Sequence, residues 1–250
     1  MAKQMSGTMS SARIDSLRPH KPNLRLYLDT AEVSAWKNWL PTGLFYGVTC
    51  NPTLVERAGV ACDVETLTGL SRQALDLGAE EVHLQSWGSD LETLVATGKA
   101  LSRISRRVLV KLPATQSGIR AARVLIQAGI PVTVTAVYEV HQALIAAALG
   151  ASYIAPYLGR INDSGRDGRA EVARMQQVLK GVRSPTRILT ASIRTLEDIP
   201  VLAAQGVDTF TFSDAIANAF FDVPATVAAT ADFEQAVQQS IERSISNFTE

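Results

Sequence analysis

RVLVKLPATQSGIRAARVLIQAGIPVTVTAV, Arg107 to Val137, is the stretch that decides the fold. A short apolar run, RVLVKL, leads into TQSGIRAARVLIQAG, whose apolar residues recur at helical spacing, and a second short apolar run, IPVTVTAV, follows. Two strands joined through a helix lie parallel, because only a crossover of that length brings the chain back to start beside itself. The same alternation extends outward in both directions. Upstream, LRLYLDT precedes AEVSAWKNWL, LFYGVTC precedes a helical stretch opened by Pro52, and EEVHLQSW precedes SDLETLVATGKALSRI. Downstream, YEVHQALIAAALG completes the second strand's unit. ASYIAPYL then runs through a polar loop into AEVARMQQVLKG, TRILTAS into TLEDIPVLAAQG, and VDTFTF into a helical C-terminus. Eight such pairs in about 230 residues predict an α/β fold, a single closed (β/α)8 TIM barrel rather than an open doubly wound sheet. The barrel is expected over residues 24–250, C-terminal helices included, with a disordered extension over residues 1–23. No GxGxxG, P-loop or repeat of 20 to 50 residues is present.

Composition narrows the function classes. In 250 residues, Lys plus Arg balance Asp plus Glu at 24 each, so no overall field draws the chain to nucleic acid or to a membrane surface, and an anionic ligand must be caught locally. Cys50 and Cys62 have neither metal-ligand nor disulfide spacing, which suits a reducing cytoplasm. The opening segment lacks a continuous apolar core, and the longest later apolar run is broken by Gly150 and Pro156, short of the ~20 residues a membrane helix needs. His20, His83 and His141 are scattered, and no metal is assigned.

The working face of such a barrel is the C-terminal end of its strands. Asp29 ends the first predicted strand, Asn51 follows the second, Gln85 ends the third, and Lys111 and Thr135 sit on the fourth and fifth. Tyr157 and Arg160 close the sixth, Ser192 and Arg194 the seventh. Lys111 stands out, a cation at the end of a buried apolar run. An amine with a reference pKa near ~10.4 is a poor nucleophile at neutral pH, and desolvation or nearby positive charge activates it. Two readings stay open from chemistry alone. Lys111 forms a Schiff base, or it extends its ammonium out of the mouth or pairs with Asp29. By strand alternation His83 faces the cavity with Gln85 and is expected to shape substrate choice.

From about Leu24 onward the chain resembles the transaldolase and fructose-6-phosphate aldolase family. LYLDTAEV resembles its first strand with an aspartate, GVTCNPTLV its Thr-x-Asn-Pro segment, and VLVKLPAT the strand bearing its Schiff-base lysine; GIPVTVTAVY, ASYIAPYLGRIND and ILTASIRT follow in the family's order. The resemblance implies a class I aldolase without cofactor or metal, acting on a sugar phosphate or dihydroxyacetone. Lys111 is then the Schiff-base residue and Asp29 the acid/base and hydroxyl-binding group. Gln85, Thr135 and Tyr157 are similar to the trio that holds a water for proton transfer. Thr49, Asn51, Ala155 and Ser192 fall on the substrate side, and Arg160, Ser192 and Arg194 resemble the phosphate clamp. That clamp fits general physics, since loops after the later strands of a barrel commonly bind phosphate and guanidinium forks match it geometrically. Family members assemble as homo-oligomers, dimers or decamers.

Within the family, Gln85, Ala155 and Tyr157 are aldolase-like where transaldolases usually carry Glu, Ser and Phe, whereas Arg194 in SIRT is as transaldolases often have it. Cys50 stands where Ser or Thr is usual, which puts a substrate-side hydroxyl in question and adds an oxidation site. Arg166 and Arg169 in GRINDSGRDGR read as solvated loop charges. The remaining alternatives are a transaldolase of the pentose phosphate pathway, a lysine barrel carrying pyridoxal phosphate, and a non-enzymatic sugar-phosphate-binding barrel.

Overall fold

The computed structural model describes residues 23–246, and the expected disordered extension lies outside the described residues but for Asn23. Eight parallel strands close in sequence order: β1 (Arg25–Asp29), β2 (Gly47–Thr49), β3 (Glu81–Gln85), β4 (Val108–Pro113), β5 (Val132–Val137), β6 (Tyr153–Pro156), β7 (Arg187–Thr190) and β8 (Thr209–Phe212). In-register pairs such as Gln85 with Lys111 and Lys111 with Thr133 carry the ladder around, and β8 pairs back onto β1. The helices are α1 (Val33–Trp39), α2 (Pro52–Arg57), α3 (Val64–Asp76), α4 (Leu91–Ser102), α5 (Gln116–Gln127), α6 (His141–Leu149), α7 (Leu158–Asp163), α8 (Gly168–Gly181), α9 (Asp198–Ala203), α10 (Asp214–Ala219) and α11 (Pro224–Ser246).

Strand alternation separates two cores. Leu26, Leu28, Val48, Val82, Leu84, Val110, Leu112, Val132, Val134, Ile154, Ile188, Phe210 and Phe212 point outward and form one apolar cluster with the helices. The helices start where polar caps allow: Asp63, Asp90, Thr115 and Asp167 each accept a backbone N–H of the first turn. Inside the barrel a smaller cluster of Tyr27, Leu109, Tyr153, Ala155 and Leu189 is interleaved with buried threonines and His83. Tyr27 fits because position 47 is glycine: a Cβ there would lie 2.1 Å from the Glu81 carbonyl and 3.1 Å from the Tyr27 ring.

The segment read as a polar loop after the sixth strand begins with α7, which carries Arg160. Asn162 Oδ1 accepts the Gly168 N–H (2.8 Å) and so ties α7 to the start of α8. Arg166 and Arg169 are anchors rather than free loop charges. Arg166 pairs with Glu139 (2.6 Å) and Glu171 (3.1 Å), and Arg169 with the buried Asp198 (2.7 Å). At the C-terminus Phe221 stacks on Trp39, and beyond it α11 runs almost wholly exposed with Phe233, Val237, Ile241 and Ile245 along one stripe. No described helix is long and apolar enough to cross a membrane.

Candidate active site

A cleft of about 290 Å³ opens at the C-terminal ends of the strands and brings together Asp29, Asn51, Lys111, Tyr157, Arg160, Ser192 and Arg194. A larger cleft, about 590 Å³, opens at the opposite end and holds none of them. Residues far apart in sequence converge at the mouth because each ends a strand or opens the loop after it. The backbone bends to arrange this. Ser192 (φ 58°) and Ala136 (φ 56°) take up left-handed conformations that cost a non-glycine residue of order 1 kcal/mol, one just past β7 and one at the irregularity where β5 and β6 shift register.

Lys111 is 4% exposed, and its Nζ donates to the Cys50 carbonyl at 3.0 Å. It neither reaches out to solvent nor pairs with Asp29 among the described contacts. Asp29 instead accepts from Thr49 Oγ1 (2.7 Å), itself bonded to Thr211 Oγ1 (2.6 Å), so Thr49 lies beneath the aspartate and steadies it. Asn51 caps α2: its Oδ1 accepts the Leu54 N–H at 3.1 Å, which turns its amide N–H groups to the free side. Thr135 is fully buried and shares a hydrogen bond with Tyr157 Oη (3.0 Å). Gln85 pairs in register with Lys111 and is half-buried, and it is not among the residues lining the cleft. Ala155 lies deeper, in the barrel's inner apolar cluster.

Arg160 lies over the Tyr157 ring, 5.1 Å from its centroid. Arg194 forms a bidentate ion pair with Asp163 of α7, one arm at 2.5 Å, and this pairing holds the Asp163 carboxyl below the usual carboxylate range. Gly159 makes room: a Cβ there would lie 2.4 Å from the Ser192 carbonyl and 2.8 Å from Arg194 Nε.

Two expectations are corrected. His83 faces inward but is fully buried below the cleft, its Nδ1 on Thr133 Oγ1 (2.9 Å) and its Nε2 toward Glu81 (3.3 Å), so it lines no substrate space. Cys50 points outward into the strand–helix core, where burial pushes its thiol up to about 12. It therefore replaces no substrate-side hydroxyl, and as a buried thiol it makes a poor oxidation site. Sequence reading also missed residues. Arg57 at the end of α2 and Ser213 after β8 line the same cleft. Ser213 was findable as the residue following an eighth strand, whereas Arg57 is placed by the turn of α2 alone. Among the described residues no three His, Cys, Asp or Glu side chains gather as a metal site.

The family model described as Transaldolase/Fructose-6-phosphate aldolase matches residues 26–250. A protein named probable transaldolase from Phenylobacterium zucineum is 32% identical over 81% of this chain and 91% of its own length. Another so named, from Coprothermobacter proteolyticus, is 35% identical over 74% and 83%, and one from Thermus thermophilus is 32% identical over 81% and 93%. Among solved structures, a flavocytochrome b2 variant with sulfite bound superimposes at TM-score 0.52 with 11% identity, over 76% of this chain and 56% of its own. A mandelate racemase/muconate lactonizing protein from Herpetosiphon aurantiacus superimposes at 0.51 with 18% identity, over 75% of this chain and 52% of its own. The chain thus spans about half the length of these two structures, which share its fold alone.

Proposed function

The chain belongs to the transaldolase/fructose-6-phosphate aldolase family, and from that premise we propose that it is a Schiff-base aldolase that releases free dihydroxyacetone from a ketose phosphate, most like fructose-6-phosphate aldolase. Lys111, as the free amine, adds to the substrate ketone, and loss of water leaves an iminium. Asp29 takes the C4 hydroxyl proton while the C3–C4 bond breaks. The bonding electrons move into the iminium as an enamine, and the aldehyde phosphate departs. Asn51 donates to a substrate hydroxyl through its free amide N–H groups. Arg160, Arg194 and the Ser192 hydroxyl hold the phosphate. A water positioned by Gln85, Thr135 and Tyr157 then protonates the enamine carbon, and hydrolysis frees Lys111.

The observation that carries the aldolase reading is the 3.0 Å hydrogen bond between Thr135 and Tyr157, a two-hydroxyl seat for that water which a phenylalanine at 157 would remove. A transaldolase reading is favoured by Arg194 and by the names of the relatives. In it the enamine waits for an acceptor aldehyde. Release of glyceraldehyde 3-phosphate from fructose 6-phosphate, measured first alone and then with erythrose 4-phosphate, separates the two. Product without acceptor is expected, and product only with acceptor makes the protein a transaldolase. Borohydride with dihydroxyacetone should fix a three-carbon adduct on Lys111, and an adduct elsewhere refutes the mechanism. The exposed apolar stripe of α11 supports assembly with further copies of the chain as a homo-oligomer, and the two spaced cysteines a cytoplasmic setting.

A further inference from the structure

We propose that the cleft at the N-terminal end of the barrel is a second binding site, taking a small organic anion with two or more negative charges. At about 590 Å³ it lies in the range of small-molecule sites, and it shares no lining residue with the mouth. Four guanidinium groups surround it, Arg25, Arg106, Arg107 and Arg187, against two carboxylates, Glu80 and Glu81.

Two of the arginines are fixed and two are open. Arg25 lies 4.3 Å over the Tyr46 ring with one arm held by Glu81 and Tyr153. Arg187 is held by Thr209 (3.0 Å) and Asp208 (3.0 Å). Arg107 spends one nitrogen on the Ala79 carbonyl (3.1 Å). Arg106, exposed at the rim, has no partner among the described residues. Glu81 offers little repulsion, because Oε1 is bonded to Arg25 and Oε2 to Tyr27, Tyr153 and His83. The cleft is therefore a preorganised positive floor with a free cationic rim, and Leu109, Pro131 and Pro185 give it apolar walls for a carbon skeleton.

The test is calorimetric titration with citrate and with glycerol 3-phosphate, the two arms separating carboxylate from phosphate ester. The full chain carrying Arg160→Ala and Arg194→Ala is used, so that the mouth clamp is silent. Saturable one-to-one binding of at least one anion is expected, weakened about tenfold or more when Arg106→Ala and Arg107→Ala are added. On the parent background the rim pair should keep turnover, and Arg106→Ala alone serves should the pair lower Tm. Binding lost with the mouth clamp, binding indifferent to the rim arginines, or equal stabilisation by uncharged glycerol would each overturn the proposal.

Discussion

Glu81 and Asp29 are carboxylates on the inner face of the same barrel, one near each end, and they are treated oppositely. Glu81 accepts from Arg25, both inner tyrosines and His83. Burial alone would raise its pKa, but the hydrogen bonds from neutral His83 and from the tyrosine hydroxyls bring it down to about 2. Asp29 accepts from Thr49 alone among the described contacts and faces an open cleft. A saturated carboxylate holds elements in place, whereas one with spare acceptor capacity remains available for a proton in transit. The same contrast separates Arg25, clamped by its neighbours, from Arg160, whose guanidinium makes no described side-chain hydrogen bond and lies over the Tyr157 ring, with the Asp163 charge within electrostatic reach.

The comparison breaks most sharply at Lys111. Lys111→Met should reduce turnover to background and leave Tm unchanged or raised, since a buried polar group is replaced by an apolar one of similar length. Circular dichroism with an activity assay checks both, and residual turnover above a tenth of the parent would remove Lys111 from the chemistry. At the other end, Glu81→Gln should do the reverse. It leaves Arg25 without its counter-charge and should cost about 3 kcal/mol, roughly 6–12 °C in Tm, with turnover per folded molecule preserved.

Acid should act on the lower end first. Burial is the main cause of the lowered His83 pKa. The unfolded chain therefore takes up a proton below about pH 6.5 that the folded one refuses, and stability falls from there downward. The depressed Glu81 carboxyl adds stability above its unfolded pKa and loses it between roughly pH 4.5 and 2. Denaturant midpoints across pH should show both limbs, with the second absent in Glu81→Gln. Smaller effects are expected at the clamp. Arg194→Ala should raise KM for phosphorylated substrates about ten- to a hundredfold and leave unphosphorylated ones unaffected. Asp163→Asn should alter it by about fivefold at most, because the pair it breaks is solvent-exposed and its attraction is largely screened. Equal losses on both substrate classes would exclude phosphate as the group Arg194 holds.

The barrel was legible because its evidence is local: short apolar runs alternating with helical ones, eight times over. The residues gathered at the mouth were legible because a parallel barrel delivers every strand's C-terminal end to one place. Three kinds of feature were not. Inward alternation places His83 inside the barrel but gives no depth, and depth separates a cavity wall from a buried strut. The short helix of Leu158–Asp163 has no apolar period of its own to announce it. Partners such as Asp163 for Arg194, or Glu139 for Arg166, depend on how helices pack above the strands, which no spacing within one segment encodes.

Asn51 carries a consequence for stereochemistry. Because its amide oxygen is bound to the first turn of the following helix, the side chain cannot be flipped end for end without uncapping that helix. The amide thus presents a fixed polarity, donor outward, and only a ligand oxygen offering a lone pair from that direction can meet it. Under the role proposed for Asn51, of two sugars differing only in the handedness of one carbon, one would place its hydroxyl there and the other a hydrogen, and the helix cap would act as a chiral filter.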